Sequence, residues 1–84
     1  ETVAAWRVAL EHQGGPTALV LTRQKVPVVV DASTAREGVA RGAYIIAEAS
    51  GGTPRVVLLA TGSEVSLAVA ARQRLEEEGV PTRV

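Results

Sequence analysis

Residues 55–84 read RVVLLATGSEVSLAVAARQRLEEEGVPTRV, and this stretch decides the fold class. Val56 to Ala60 are apolar without alternation, which is typical of a strand buried on both faces. An apolar stripe at helical spacing follows, formed by Leu67, Ala68, Ala71 and Leu75. Val80–Val84 predicts a second strand. A strand, a helix and a strand in this order predict a βαβ unit with a parallel sheet and a right-handed crossover.

The predicted helix carries signals at both ends. Thr61 followed by Glu64 is a capping-box pattern, in which the two side chains accept hydrogen bonds from free backbone N–H groups of the helix start. Gly79 stands at the position where a residue in the left-handed backbone conformation commonly ends a helix, and Pro81 cannot continue a helix. We interpret Glu76–Glu78 as a solvated face without a further role.

Composition and length restrict the classes of function that this chain can have. Nine basic and nine acidic residues give no net charge, so nothing favours a nucleic acid or an anionic membrane as a partner. No apolar run approaches the ~20 residues of a membrane span, and no signal-peptide pattern opens the chain. The lack of cysteine excludes disulfides and thiolate metal sites and fits a cytoplasmic protein. Because the chain stops inside a predicted strand, we expect it to be a piece of a larger protein.

The residues before this stretch predict further elements of the same class. Glu1–His12 predicts a short amphipathic helix, with Trp6, Ala9 and Leu10 at helical spacing. Thr17–Leu21 predicts a second buried strand between turn residues. The expected fold class is therefore α/β, with parallel sheets and flanking helices.

Two segments of different character lie between these elements. Residues 25–40 contain Pro27 and a small, polar half without a clear period, which we interpret as a surface connection between domains. Gly42–Glu48 alternates and predicts a strand, and a turn cluster follows it.

Arg23 is the candidate binding residue. With Thr22 and Gln24 it follows the predicted strand at its carboxyl end, where ligands gather in open α/β sheets. A guanidinium is a planar fork of donors that suits a phosphate or a carboxylate. Position alone favours pairing with a local carboxylate or exposure to solvent. On these grounds Arg23 is a candidate anion contact and no more.

The other candidates are weaker. His12, the single histidine, falls at the end of a helix, and we interpret it as a partner of the helix dipole rather than a catalyst. Asp31 is the single aspartate, so no carboxylate pair is built with it. The turn Thr61–Glu64 lacks the spacing of a dinucleotide-binding loop. Its helix start could hold an anion, but a plain capping turn is favoured.

Five blocks stand in a characteristic order: ETVAAW, GPTALVLTRQ, RGAY, VVLLATGSEVSLAVAA and EEGVPTRV. In this order and spacing the sequence resembles the transketolase family across essentially the whole chain. The resemblance implies a homodimeric enzyme that needs thiamine diphosphate and a divalent metal, magnesium or calcium. Such an enzyme transfers a two-carbon ketol unit from a ketose phosphate to an aldose phosphate in the cytoplasmic pentose phosphate pathway.

The resemblance also implies parts of two consecutive α/β domains. Residues 1–26 correspond to the tail of a pyrimidine-binding domain, residues 27–41 to an inter-domain connection, and residues 42–84 to the start of a carboxyl-terminal domain. The family usually carries Ser-Arg-Gln where this chain has Thr22, Arg23 and Gln24, and its arginine contacts the substrate phosphate. The resemblance therefore implies that Arg23 binds substrate.

No other functional residue is carried over. The family's catalytic, cofactor-binding and metal-binding residues precede position 1, so we expect the 84 residues alone to be inactive and to bind no cofactor. The turn at Thr61–Glu64 is assigned no ligand. Two alternatives stay open. One is a related thiamine diphosphate enzyme such as dihydroxyacetone synthase, and the other is a non-catalytic α/β interaction module.

Overall fold

The computed structural model describes all 84 residues and contains three α-helices and one two-stranded parallel sheet. The regular elements are α1 (Thr2–Glu11), α2 (Ala32–Arg41), β1 (Val56–Val57), α3 (Val65–Glu77) and β2 (Thr82–Arg83). The chain forms two compact units, one of Glu1–Leu21 with Val30–Tyr44 and one of Thr22–Val29 with Ile45–Val84. Helices with a parallel sheet confirm the α/β class. The domain boundaries at residues 26 and 41 stay predictions.

In the first unit, α1 forms where the sequence predicts it, but its large apolar side chains are not covered. Trp6 is 53% exposed and Leu10 is 77% exposed. The half-buried positions of this helix are alanines, Ala9 among them. Arg7 and Glu11 form an exposed ion pair one helical turn apart, with 2.8 Å between Nε and Oε1. Small side chains therefore face the interior of this unit.

Helix α2 lies in the segment that we interpreted as a surface connection between domains, and the sequence did not predict a helix there. The Asp31 carboxylate accepts hydrogen bonds from the backbone N–H groups of Ser33 and Thr34, each at 2.9 Å. It also accepts hydrogen bonds from the side-chain hydroxyls of the same two residues. These donors hold the pKa of Asp31 well below its usual range. The helix ends at Gly42, whose φ of 87° suits glycine. Cap and stop signals were present, but the weak apolar period between them concealed the helix.

The second unit contains the predicted βαβ arrangement. β1 and β2 pair in parallel, with Val56 opposite Thr82 and Val57 opposite Arg83, and α3 connects them. Outside this pairing, the N–H of Leu58 donates to the carbonyl of Arg83 at 2.8 Å. The order of elements and the parallel pairing are therefore confirmed.

The carboxyl end of α3 also follows its prediction. Gly79 adopts a φ of 75°, and its N–H donates to the carbonyl of Glu76 at 3.0 Å. The N–H of Val80 donates to the carbonyl of Leu75 at 2.8 Å, which completes a Schellman motif. Because glycine adopts positive φ without steric strain, Gly79 lets the chain reverse toward β2.

The amino end of α3 differs from its prediction. Thr61 makes no side-chain capping bond, and a single turn of 3-10 helix covers Gly62–Glu64 before α3 begins. Gly62 has a φ of 58°, so the chain bends there on a glycine. The capping-box prediction was therefore wrong, since backbone bonding and not the two side chains closes this turn.

Burial around β1 is also lower than predicted. Val57 is 53% exposed and Leu59 is 91% exposed, so this strand is not buried on both faces. It has one neighbouring strand, β2, and the remaining edge is open. Leu67, predicted to lie in the apolar stripe of α3, is 69% exposed, whereas Val65 is buried. The three other stripe positions, Ala68, Ala71 and Leu75, are half-buried, so the predicted stripe is covered except at Leu67.

The two other predicted strands are not regular strands. Thr17–Leu21 forms no strand, because no neighbouring strand takes up the backbone groups of this segment. Within it, the side chain of Val20 is 95% exposed. In the segment predicted as a strand at Gly42–Glu48, Ala47 and Val84 exchange both backbone hydrogen bonds, at 2.9 and 3.2 Å. Such an exchange is typical of a hydrogen-bonded antiparallel pair. This segment therefore runs beside the β2 end of the sheet without forming a regular strand.

Candidate functional site

A network of charged groups holds the second unit together. The Glu76 carboxylate accepts the backbone N–H of Thr82 at 2.7 Å and that of Ser50 at 3.2 Å. Arg72 donates to the carbonyl of Thr82 at 3.0 Å and to the carbonyl of Glu48. The N–H donors lower the pKa of Glu76. The interpretation of Glu76 as a solvated side chain was wrong, because its side chain is only 16% exposed.

Arg83 adds a second link to this network. Its guanidinium contacts the Glu48 carboxylate through two hydrogen bonds, at 2.7 and 3.1 Å. These bonds, together with the N–H of Ala49, lower the pKa of Glu48. All four charged side chains of the network have partners within the chain, so the network is structural and offers no free charge to a ligand.

A different arrangement surrounds Arg23. Four polar residues from two separate segments line an open surface depression of about 310 Å³, namely Thr22, Arg23, Gln24 and Ser63. The first three belong to one short segment, and Ser63 lies in the 3-10 turn before α3. The lining therefore carries one positive charge, three neutral polar side chains and no carboxylate.

The guanidinium of Arg23 is free. It forms no ion pair, since the ion pairs of this chain join Arg7, Arg72 and Arg83 to glutamates. The side chain is exposed and makes no hydrogen bond within the chain. A local carboxylate partner, which position alone made plausible, is therefore not found. All guanidinium donors remain available to a ligand from solution.

The backbone under Arg23 is an irregular segment. The strand predicted to end here does not form, so Arg23 does not stand at the carboxyl end of a strand. Instead, the N–H of Gln24 donates to Oγ1 of Thr22 at 3.2 Å, which closes a small turn around Arg23. A local side-chain bond therefore holds the segment, and the sheet does not.

Ser63 is the residue of this depression that the sequence prediction missed. It is half-buried, and its hydroxyl donates to Oε1 of Glu64 at 3.1 Å. The turn at Thr61–Glu64 was assigned no ligand because the resemblance places it in the carboxyl-terminal domain, and its sequence separation from residues 22–24 is some forty positions. No local pattern could have paired the two segments.

The remaining candidates have structural positions. His12 is the carboxyl cap of α1, and its backbone N–H donates to the carbonyl of Val8 at 3.0 Å. No group of three or more histidine, aspartate or glutamate side chains is arranged to hold a metal ion. The residues present therefore do not fit a metal centre. None of the three helices is both long and apolar enough to cross a lipid bilayer.

Comparison with known proteins gives a consistent result over the whole chain. The family described as "Transketolase-like TK C-terminal domain" matches residues 42–84. The chain is 55% identical to a transketolase of Geobacillus stearothermophilus and 49% identical to one of Aquifex aeolicus, each over 85 aligned residues. A transketolase of Halalkalibacterium halodurans is 52% identical. These alignments cover 100% of this chain but only 12–13% of each relative, so the chain spans about an eighth of their length.

Proposed function

Since this chain belongs to the transketolase family, we propose that it forms part of an enzyme that transfers a two-carbon ketol unit from a ketose phosphate to an aldose phosphate. The family match at residues 42–84 and the identities of 49–55% over the full chain support this proposal. The proposal includes a cytoplasmic homodimer that acts in the pentose phosphate pathway, and sugar phosphates as its substrates.

The proposal includes thiamine diphosphate and a divalent metal as cofactors of the whole enzyme. When bound, thiamine diphosphate supplies the carbanion chemistry that ketol transfer needs. This chain has no cluster of metal-ligating side chains. We therefore assign its residues no step at the cofactor, and their proposed work is the binding of substrate.

Arg23 is the residue that we propose for this work, as the contact to the phosphate of the sugar. The observation that carries the assignment is its free guanidinium, which lines a depression with three neutral polar side chains and no carboxylate. A phosphate dianion accepts two parallel hydrogen bonds from such a planar fork, and these bonds are stronger than neutral ones. The turn closed by Thr22 supports the backbone on which the side chain stands.

Steady-state kinetics of Arg23→Ala in the full-length enzyme test this assignment. Truncating one partner of a buried charge pair typically costs ~2–5 kcal/mol, and we expect the low end because Arg23 lies in an open depression where the pair stays partly solvated. The expected result is a rise of about 30-fold in KM for phosphorylated sugars. The kcat should change little, because a phosphate remote from the reacting carbon is bound equally in the ground and transition states.

Non-phosphorylated substrates are the internal control and should be nearly indifferent to Arg23→Ala. Arg23→Lys should restore part of the affinity, since an ammonium keeps the charge but loses the bidentate geometry. Arg55→Ala is a matched control, because it removes an arginine of the same unit that does not line the depression. Equal losses of kcat/KM for phosphorylated and non-phosphorylated substrates would show that Arg23 supports the fold instead.

A further inference from the structure

We draw no further inference here: the strongest candidate, the open edge of β1 with the exposed apolar side chains of Val57 and Leu59, carries no proposal because nothing in the structure shows what covers it.

Discussion

Gly38 of α2 lies directly against the ring of Tyr44, and a Cβ atom added at Gly38 would stand 2.3 Å from Cγ of that ring. Gly38 is buried, and the Tyr44 hydroxyl donates to the carboxylate of Glu1. Burial and this bond raise the pKa of Tyr44. The close approach of helix and ring therefore depends on the missing side chain at position 38.

Gly38→Ala should destabilise the first unit, although alanine is a better helix former than glycine by ~1 kcal/mol. The added methyl group meets the ring at a distance that no Cβ tolerates, and overpacking of this kind costs ~1–3 kcal/mol. We expect a net loss of up to ~2 kcal/mol in the free energy of unfolding, measured by chemical denaturation. Gly15→Ala is the control, since a Cβ there meets nothing within 4 Å. A stabilised Gly38→Ala variant would contradict the packing.

Asp31→Ala should shorten α2 from its amino end. The variant removes the acceptor of the Ser33 and Thr34 N–H groups, which then lack partners in the first helical turn. We expect the thermal midpoint to fall by a few degrees, with a loss of helical circular dichroism. Asp31→Asn keeps a capping oxygen and should lose less than Asp31→Ala. Equal losses in both variants would show that the charge of Asp31, and not its capping bonds, matters.

Acid should destabilise the second unit through Glu48 and Glu76. Both carboxyls have a pKa below the ordinary value of 4.5 in the folded chain, because Arg83 and backbone N–H groups favour their charged forms. The unfolded chain therefore binds protons at a higher pH than the folded chain does. The stabilisation from these groups is fully present above pH 4.5 and is lost as the pH falls through their lowered pKa values.

Thermal midpoints measured between pH 7 and pH 3 check this expectation. The midpoint should fall on the acid side, and Glu76→Gln should make the curve shallower because one of the two titrating groups is gone. Glu77→Gln is the matched control, since this exposed neighbour accepts a hydrogen bond from Gln73 of its own helix and forms none with β2. The same slope in Glu76→Gln and in the unmodified chain would contradict the assignment of Glu76.

The 84-residue chain by itself should show no ketol-transfer activity and no measurable affinity for thiamine diphosphate. It contains no cluster of metal-ligating side chains, and it spans 13% of the Geobacillus relative. Calorimetric titration of thiamine diphosphate with magnesium into the chain checks this, with the full-length enzyme as the positive control. Micromolar affinity of the chain alone would show that these residues build a cofactor site.

Only one of the two segments that form the candidate site could be predicted from the sequence. Arg23 was named as a candidate from the sequence, because the triplet Thr22, Arg23 and Gln24 is a local motif that resembles the family's. Ser63 could not be found in this way, since its position in the depression depends on how two segments forty residues apart fold together. The same limit applies to Glu76, whose partners on Thr82 and Ser50 lie outside its own helix.

The sequence by itself determined α1, the order of β1, α3 and β2, the parallel pairing and the glycine stop at Gly79. These features depend on periodicity and on backbone conformations that a few neighbouring residues set. The tertiary structure alone decided which predicted strands found partners, that Leu67 of α3 is left exposed, and which side chains share the depression at Arg23. A strand exists only where another segment takes up its hydrogen bonds, and an apolar side chain is buried only where another element covers it. For this reason Thr17–Leu21, with the composition of a buried strand, forms no strand and leaves Val20 exposed.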